Sequence, residues 1–343
     1  MRDKVTYFLG GKNICLRFSN PLIGSIAQAF FHLAQTENAY DYEILFIEVP
    51  EQKLDPADVI HLLNHHVNIN FDHIAFPSSQ TSIFPLSHNF QLIFWPAHRT
   101  FCCVYPKNVF LHPESPHGAF TLLYENTYDE TLLPPNSGGV LAAVQWLLES
   151  FGIFILHAAY VELNGRHILI PGKGGAGKTT LALSLSMNGG CLYADDKVFV
   201  SFEEKGNLLV WPYPKKIAVT EQTVGFFPQL AKQSASYERH HGKYYFLAGG
   251  KSASSFHEPG SPEVLIFPHI LESGHRPIAE LLPPFKAFLN FLQDEILYPP
   301  VDLSYRETQI SLVEALCTQA VIYSAHLGPE MDLNFKLLSN LIR

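Results

Sequence analysis

The chain has 343 residues, 47% hydrophobic and 13% aromatic, enough apolar material for two cores or one elaborate one. Charged residues make up only 16% and form no long run, which argues against wholesale disorder. A formal net charge of −9 argues against nucleic acid or an anionic membrane as the main partner, and no stretch approaches the roughly 20 apolar residues of a membrane span.

The first residues, Met1 to Tyr7, lack the apolar core of a signal peptide, so a soluble cytoplasmic protein is expected. The five cysteines are odd in number and none has zinc spacing; Cys102 and Cys103 read as strand residues in a reducing compartment. Histidines are scattered, and the adjacent pairs His65-His66 and His240-His241 would point to opposite faces of a strand.

Residues 1–135 read as an α+β accessory domain facing the substrate, with no catalytic signature. Asn20 is expected to cap a helix with Pro21 in its first turn and Ile23, Ala27, Phe30 and Phe31 on its apolar face. Tyr42–Val49, Phe90–Trp95 and Phe101–Tyr105 read as strands. The character changes at Pro134-Pro135-Asn136-Ser137, and residues 136–343 read as a second, α/β domain. Ser137 could cap a helix reaching Ser150, with Val140, Val144, Leu147 and Leu148 on one face.

Phe154–Glu162 and His167–Pro171 read as a hairpin around Asn164-Gly165, a strong two-residue turn signal. Continuing that register sets Val161 opposite Ile168, Ala159 opposite Ile170, and His157 opposite Gly172. A helix over Thr179–Asn188 ends at Gly189-Gly190, and a strand over Cys191–Ala194 runs into Asp195-Asp196. Lys197–Ser201 and Leu208–Trp211 continue the sheet. Tyr237–Tyr245 and Ser252–Pro262 read as loop, Val264–Phe267 as strand, Phe285–Leu292 as helix, and Leu312–Leu341 as largely helical.

Between a strand and a helix stands Gly172-Lys173-Gly174-Gly175-Ala176-Gly177-Lys178-Thr179, a match to G-x-x-x-x-G-K-[ST]. Glycines let loop amides face phosphates, and the helix N-terminus favours negative charge. Lys178 would reach the β- and γ-phosphates of ATP, the Thr179 hydroxyl would bind Mg²⁺, and Thr180 completes the loop's nucleotide contacts. A right-handed β-α-β unit makes the strand before Asp195 parallel to the loop strand, with its carboxyl end at the same edge. Of Asp195 and Asp196, one carboxylate could then hold Mg²⁺, directly or through water, while the other accepts a proton from an attacking hydroxyl. His157 could bond a phosphate or a neighbouring carboxylate.

Together, His157-Ala158-Ala159-Tyr160-Val161, the Gly-bearing turn, Ile168-Leu169-Ile170, Gly172, Gly177-Lys178-Thr179 and Leu192-Tyr193-Ala194-Asp195-Asp196 resemble HPr kinase/phosphorylase and its kinase relatives. These are distantly akin to ATP-dependent phosphoenolpyruvate carboxykinase. The resemblance covers about residues 151–200 and implies a P-loop kinase domain over residues 136–343. It implies His157 near the γ-phosphate, Lys178 on the phosphates, Thr179 on Mg²⁺ and Asp196 as catalytic base. Thr179 stands where the family usually has Ser, and Trp211–Lys216 occupies the region of its later metal-binding signature. The expected reaction is phosphoryl transfer to a hydroxyl, foremost serine of a peptide or protein, with assembly into a homo-oligomer left open. Other acceptors remain open: a small-molecule or carboxykinase-like kinase, or a nucleotide-switch ATPase.

The loop with Lys173 also resembles the deviant phosphate loop of partitioning and septum-site ATPases. There the loop lies near the chain start and the aspartate farther off; here Asp196 follows Lys178 by 18 residues. Lys215, Lys216, Arg239, Lys243 and Arg276 are candidate contacts to further phosphates, with Lys243 and Arg276 foremost.

Overall fold

The computed structural model describes residues 3–31, 34–49, 82–87, 90–95, 100–106, 138–203, 206–213, 215–233, 236–240, 242–246, 259–271, 275–293, 296–300 and 303–342. The chain divides into two compact units: Met1–Phe151 with Pro299–Leu303, and Gly152–Tyr298 with Ser304–Arg343. Both are mixed α/β. The division falls at Phe151/Gly152 rather than at 135/136, so the helix expected to open the second unit belongs to the first.

The first unit contains β1 (Asp3–Leu9), β2 (Lys12–Phe18), α1 (Pro21–Phe31), β3 (Gln35–Thr36), β4 (Tyr42–Val49), β5 (Ser82–Ser87), β6 (Phe90–Trp95), β7 (Thr100–Pro106) and α2 (Gly138–Glu149). Its sheet runs β3-β1-β2-β4-β7-β6-β5, with β4 parallel to β2 and β7 and the other pairs antiparallel. Asn20 Oδ1 accepts from the Leu22 amide at 3.0 Å, the expected cap, and Ile23, Ala27 and Phe31 are buried. The α2 helix departs from the single apolar face expected of it. Every residue from Val140 to Glu149 is buried, because the helix is apolar nearly all round. Its two polar residues bond each other, Gln145 Nε2 donating to Glu149 Oε1 at 2.6 Å and also to Pro299 O at 3.3 Å. Ser137, His65 and His66 lie outside the described residues.

The second unit contains β8 (Phe154–Leu163), β9 (Arg166–Pro171), α3 (Lys178–Met187), β10 (Cys191–Ala194), β11 (Lys197–Phe202), β12 (Leu208–Pro212), β13 (Ile217–Thr220), α4 (Glu221–Phe226), α5 (Pro228–Gln233), β14 (Glu238–His240), β15 (Lys243–Phe246), β16 (Val264–Ile270), β17 (Ile278–Leu281), α6 (Pro284–Gln293), α7 (Arg306–Gln319), β18 (Val321–Leu327) and α8 (Met331–Leu341). Its main sheet runs β12-β11-β8-β9-β16-β18-β17, with β10 also paired to β8. Apolar clusters cover both faces. Leu156, Ala158 and Tyr160 meet residues of α6 and α7 on one face, while Ala159, Val161 and Ile170 meet α3 and α8 on the other. Among the described residues no helix is long and apolar enough to cross a membrane.

Two expectations are corrected. The tail is interrupted by β18, a core strand parallel to β16, because Val321–Leu327 buries Ile322, Ala325 and Leu327 within the sheet. The stretch Tyr237–Tyr245 forms the hairpin β14–β15 around left-handed Gly242, despite its polar composition. Residues 252–258 of the other expected loop lie outside the described residues, but Gly260 exchanges backbone hydrogen bonds with Val210 at 2.8 and 3.0 Å. A Cβ on Gly260 would fall 2.0 Å from Tyr160 Oη and 2.3 Å from His167 Nδ1, two atoms themselves bonded at 2.7 Å. Gly260→Ala should therefore lower stability by about 1–3 kcal/mol in urea unfolding. Gly174→Ala, whose Cβ meets nothing within 4 Å, should change it by less than about 0.5 kcal/mol. Equal stabilities of the two variants would refute the tight packing at Gly260.

Candidate active site

Strand β9 ends at Pro171 and the chain turns through six residues into α3. Gly175 (φ 78°) and Gly177 (φ 96°) hold left-handed conformations there, and Gly177 is the N-cap residue. Lys173, Gly174 and Gly175 are exposed and Gly172 is buried. The Lys178 stem passes under Gly172, whose Cβ would meet Lys178 Cγ at 3.7 Å. Its ammonium donates to Gly172 O at 2.7 Å and Lys173 O at 2.9 Å. Burial lowers the Lys178 amine to a pKa of about 8, against the pull of Asp196 and Asp195. Thr179 is half-buried, and Thr180 Oγ1 lies 3.3 Å from Thr223 Oγ1 at the start of α4.

The aspartates follow the strand Cys191–Ala194 as expected, but they interrupt the strand path rather than close it. Strands β10 and β11 lie along one edge of β8, both antiparallel to it: Leu192 pairs with Val161, Ala194 with Tyr160, Lys197 with His157. Asp195 and Asp196 occupy a two-residue break inside what is otherwise one long strand. Because β9 and β10 are both antiparallel to β8, they run in the same direction, as expected, with β8 between them.

The hairpin register is as the Asn164-Gly165 turn dictates, from Leu163↔Arg166 to Ala158↔Pro171. It stops one pair short of His157 and Gly172. The His157 amide instead donates to Ile296 O at 2.8 Å, and Leu297 bridges Leu156, so residues 296–297 take the place next to β8. The His157 imidazole meets a carboxylate: its Nε2 is 3.1 Å from Asp196 Oδ1. Lys215 Nζ donates to Asp196 Oδ2 at 3.0 Å. The Ala218 amide donates to Asp195 Oδ2 at 3.1 Å.

Two neighbouring carboxyls thus have opposite fates. Burial, reinforced by the charge of Asp196, pushes Asp195 toward its neutral form. Burial also opposes the Asp196 charge, but Lys215, the His157 hydrogen bond and Lys197 outweigh it and hold that carboxyl well below the usual range. Lys197 went unnoticed in the sequence, though it directly follows the aspartates. It is 4% exposed, with its ammonium 5.8 Å and 5.3 Å from the ring centroids of Tyr213 and Tyr298. The cations favoured from sequence lie elsewhere in the unit: Lys243 pairs with Thr220 and His240 in the small sheet, Arg239 bonds Glu221, and Arg276 is exposed in a connection.

Burial lowers the Lys197 amine from 10.5 to about 8, with Lys215 adding to the effect and Asp196 opposing it. An amine whose folded value lies below its unfolded one penalises the fold while protonated. The penalty, on the order of 3 kcal/mol, is full below pH 8 and fades as pH rises toward 10.5. Wild type should therefore gain stability relative to Lys197→Met between pH 8 and 10.5 in urea unfolding. A pH-independent difference would contradict the buried charge.

No protein-family model matches the chain, and no curated protein matches it.

Proposed function

We propose that the second unit is an ATP-dependent phosphotransferase of the kind HPr kinase exemplifies, acting on a hydroxyl, foremost serine of a peptide or protein. One observation carries the reading: the loop lysine Lys178 and the pair Asp195-Asp196 lie in one electrostatic site, each field acting on the other. A strand-loop-helix cradle on its own binds anions; an ionised carboxylate beside it adds a proton acceptor.

The residues fit the nucleotide. Gly174 has open space around it, Gly175 and Gly177 supply the left-handed backbone that turns amides outward, and α3 presents its N-terminus. They also fit Mg²⁺. Among the described residues no three His, Cys, Asp or Glu cluster as a metal cage, but Mg²⁺ uses one or two protein oxygens with phosphates and water. Thr179 and Asp195 would be that pair, and a divalent cation would offset the burial and the Asp196 charge that push Asp195 toward its neutral form. Bound Mg·ATP would supply the phosphoryl group and a divalent charge to shield it.

The chain's own residues do the rest. Lys178 neutralises phosphate charge, and the loop amides orient the chain of phosphates. Asp196 takes the proton from the acceptor hydroxyl as the new oxygen–phosphorus bond forms and the bond to ADP breaks. His157, bonded to Asp196 Oδ1, fixes the carboxylate's orientation from β8.

Calorimetry with Mg·ATP, and ADP release in the presence of serine peptides, test this reading. Wild type should bind and turn over. Lys178→Ala should lose roughly 10-fold or more in affinity and nearly all turnover, with an unchanged melting temperature. Equal turnover in the two folded proteins would refute the proposal.

A further inference from the structure

Asp196 has more partners around it than one carboxylate requires. His157 Nε2 meets Oδ1 at 3.1 Å, Lys215 Nζ meets Oδ2 at 3.0 Å, and Lys197 adds a second ammonium field. The three are held differently. Lys197 is fixed on β11 beside two tyrosine rings, and His157 is fixed on β8 with β11 on one side and residues 296–297 on the other. Lys215 belongs to no strand. It sits in the connection between β12 and β13, its side chain 15% exposed, and reaches Asp196 on a long unbranched stem.

This difference decides which cation can move. Withdrawing Lys197 would strand an ammonium among aromatic rings, and withdrawing His157 would disrupt the central strand. Withdrawing Lys215 leaves Asp196 still bonded to His157 and still facing Lys197, so no buried charge is orphaned.

The charge balance says what would draw it away. Lys178, Lys197 and Lys215 bring three ammonium groups against the two carboxyls of Asp195 and Asp196, so even with both carboxyls ionised one positive charge is unmatched. In a chain of net charge −9 this is a local surplus suited to an anion. A phosphate group carries about −1.5 to −2 at neutral pH.

We infer that Lys215 is the ligand of the terminal phosphoryl group, docked on Asp196 in the free site and transferred to that phosphate when nucleoside triphosphate binds. This rests on the phosphotransferase reading and names the residue that distinguishes ATP from ADP. The exchange also frees Asp196 Oδ2, the oxygen that Lys215 covers, to receive the acceptor's proton.

Calorimetric titration of wild type, Lys215→Met and Lys215→Arg with β,γ-imido-ATP and with ADP, both in excess Mg²⁺, tests it. Lys215→Met should weaken the triphosphate analogue about 10- to 100-fold, as for loss of a charged hydrogen bond, and leave ADP within about 2-fold. Lys215→Arg should restore most of the lost affinity. Should the methionine variant melt early, Lys215→Gln keeps a donor for Asp196 without the charge and should show the same split. Equal effects on both nucleotides, or none on either, in a wild type that binds both, would overturn the role of Lys215 alone. A wild type that binds neither nucleotide would overturn the phosphotransferase reading, and this inference with it.

Discussion

Two adjacent carboxyls at the edge of a central strand, Asp195 buried and Asp196 half-buried, are the constraint around which the second unit is organised. An unpaired buried carboxylate is too costly to keep, so each must be protonated, paired or both. Asp195 takes the first route, pushed toward neutrality by burial and its neighbour and held by the Ala218 amide. Asp196 takes the second, with His157 and Lys215 on its two oxygens and Lys197 beside it. The cost reappears on the cations: burial lowers both Lys178 and Lys197 to about 8. Fields of this kind, paired in opposite directions within a few residues, are what acid–base and phosphoryl-transfer sites are built from.

The sheet makes the arrangement possible. Because β9 and β10 share a direction across β8, the glycine loop after β9 and the aspartates after β10 emerge at the same edge. The break between β10 and β11 is what exposes both carboxyls to that edge, since an unbroken strand would have sent alternate side chains to opposite faces. Residues 296–297 close β8 where β9 leaves it, taking the His157 amide and fixing the imidazole beside Asp196.

Much of this was legible in local chemistry. Asn164 and Gly165 adopt the left-handed pair that their turn type requires (φ 55° and 79°), so the hairpin register followed residue by residue. The glycine loop likewise announced itself, because few other residues tolerate the conformations of Gly175 and Gly177. What was hidden depends on partners remote in sequence. The continuation of β10 into β11 breaks the alternation on which strand reading relies, so Asp195-Asp196 read as an end rather than an interruption. Lys215 could not be singled out from Lys243 or Arg276 by composition; only the path of the chain into β13 sets it on Asp196. The strand β18 was masked by the helical patterns of α7 and α8 on either side of it.

Asp196, as the proposed proton acceptor, is where the proposed function is most exposed to test. Mg·ATP affinity and phosphoryl transfer to serine peptides, measured together on wild type and Asp196→Asn, separate holding the nucleotide from using it. The substitution keeps the size of the side chain and a hydrogen-bonding oxygen for Lys215 or His157, while removing the base. Affinity should stay within about 3-fold and transfer should slow by at least about 10²-fold. Unchanged transfer at equal affinity, in a variant that melts like wild type, would contradict the assignment of Asp196 and with it the function proposed for the site.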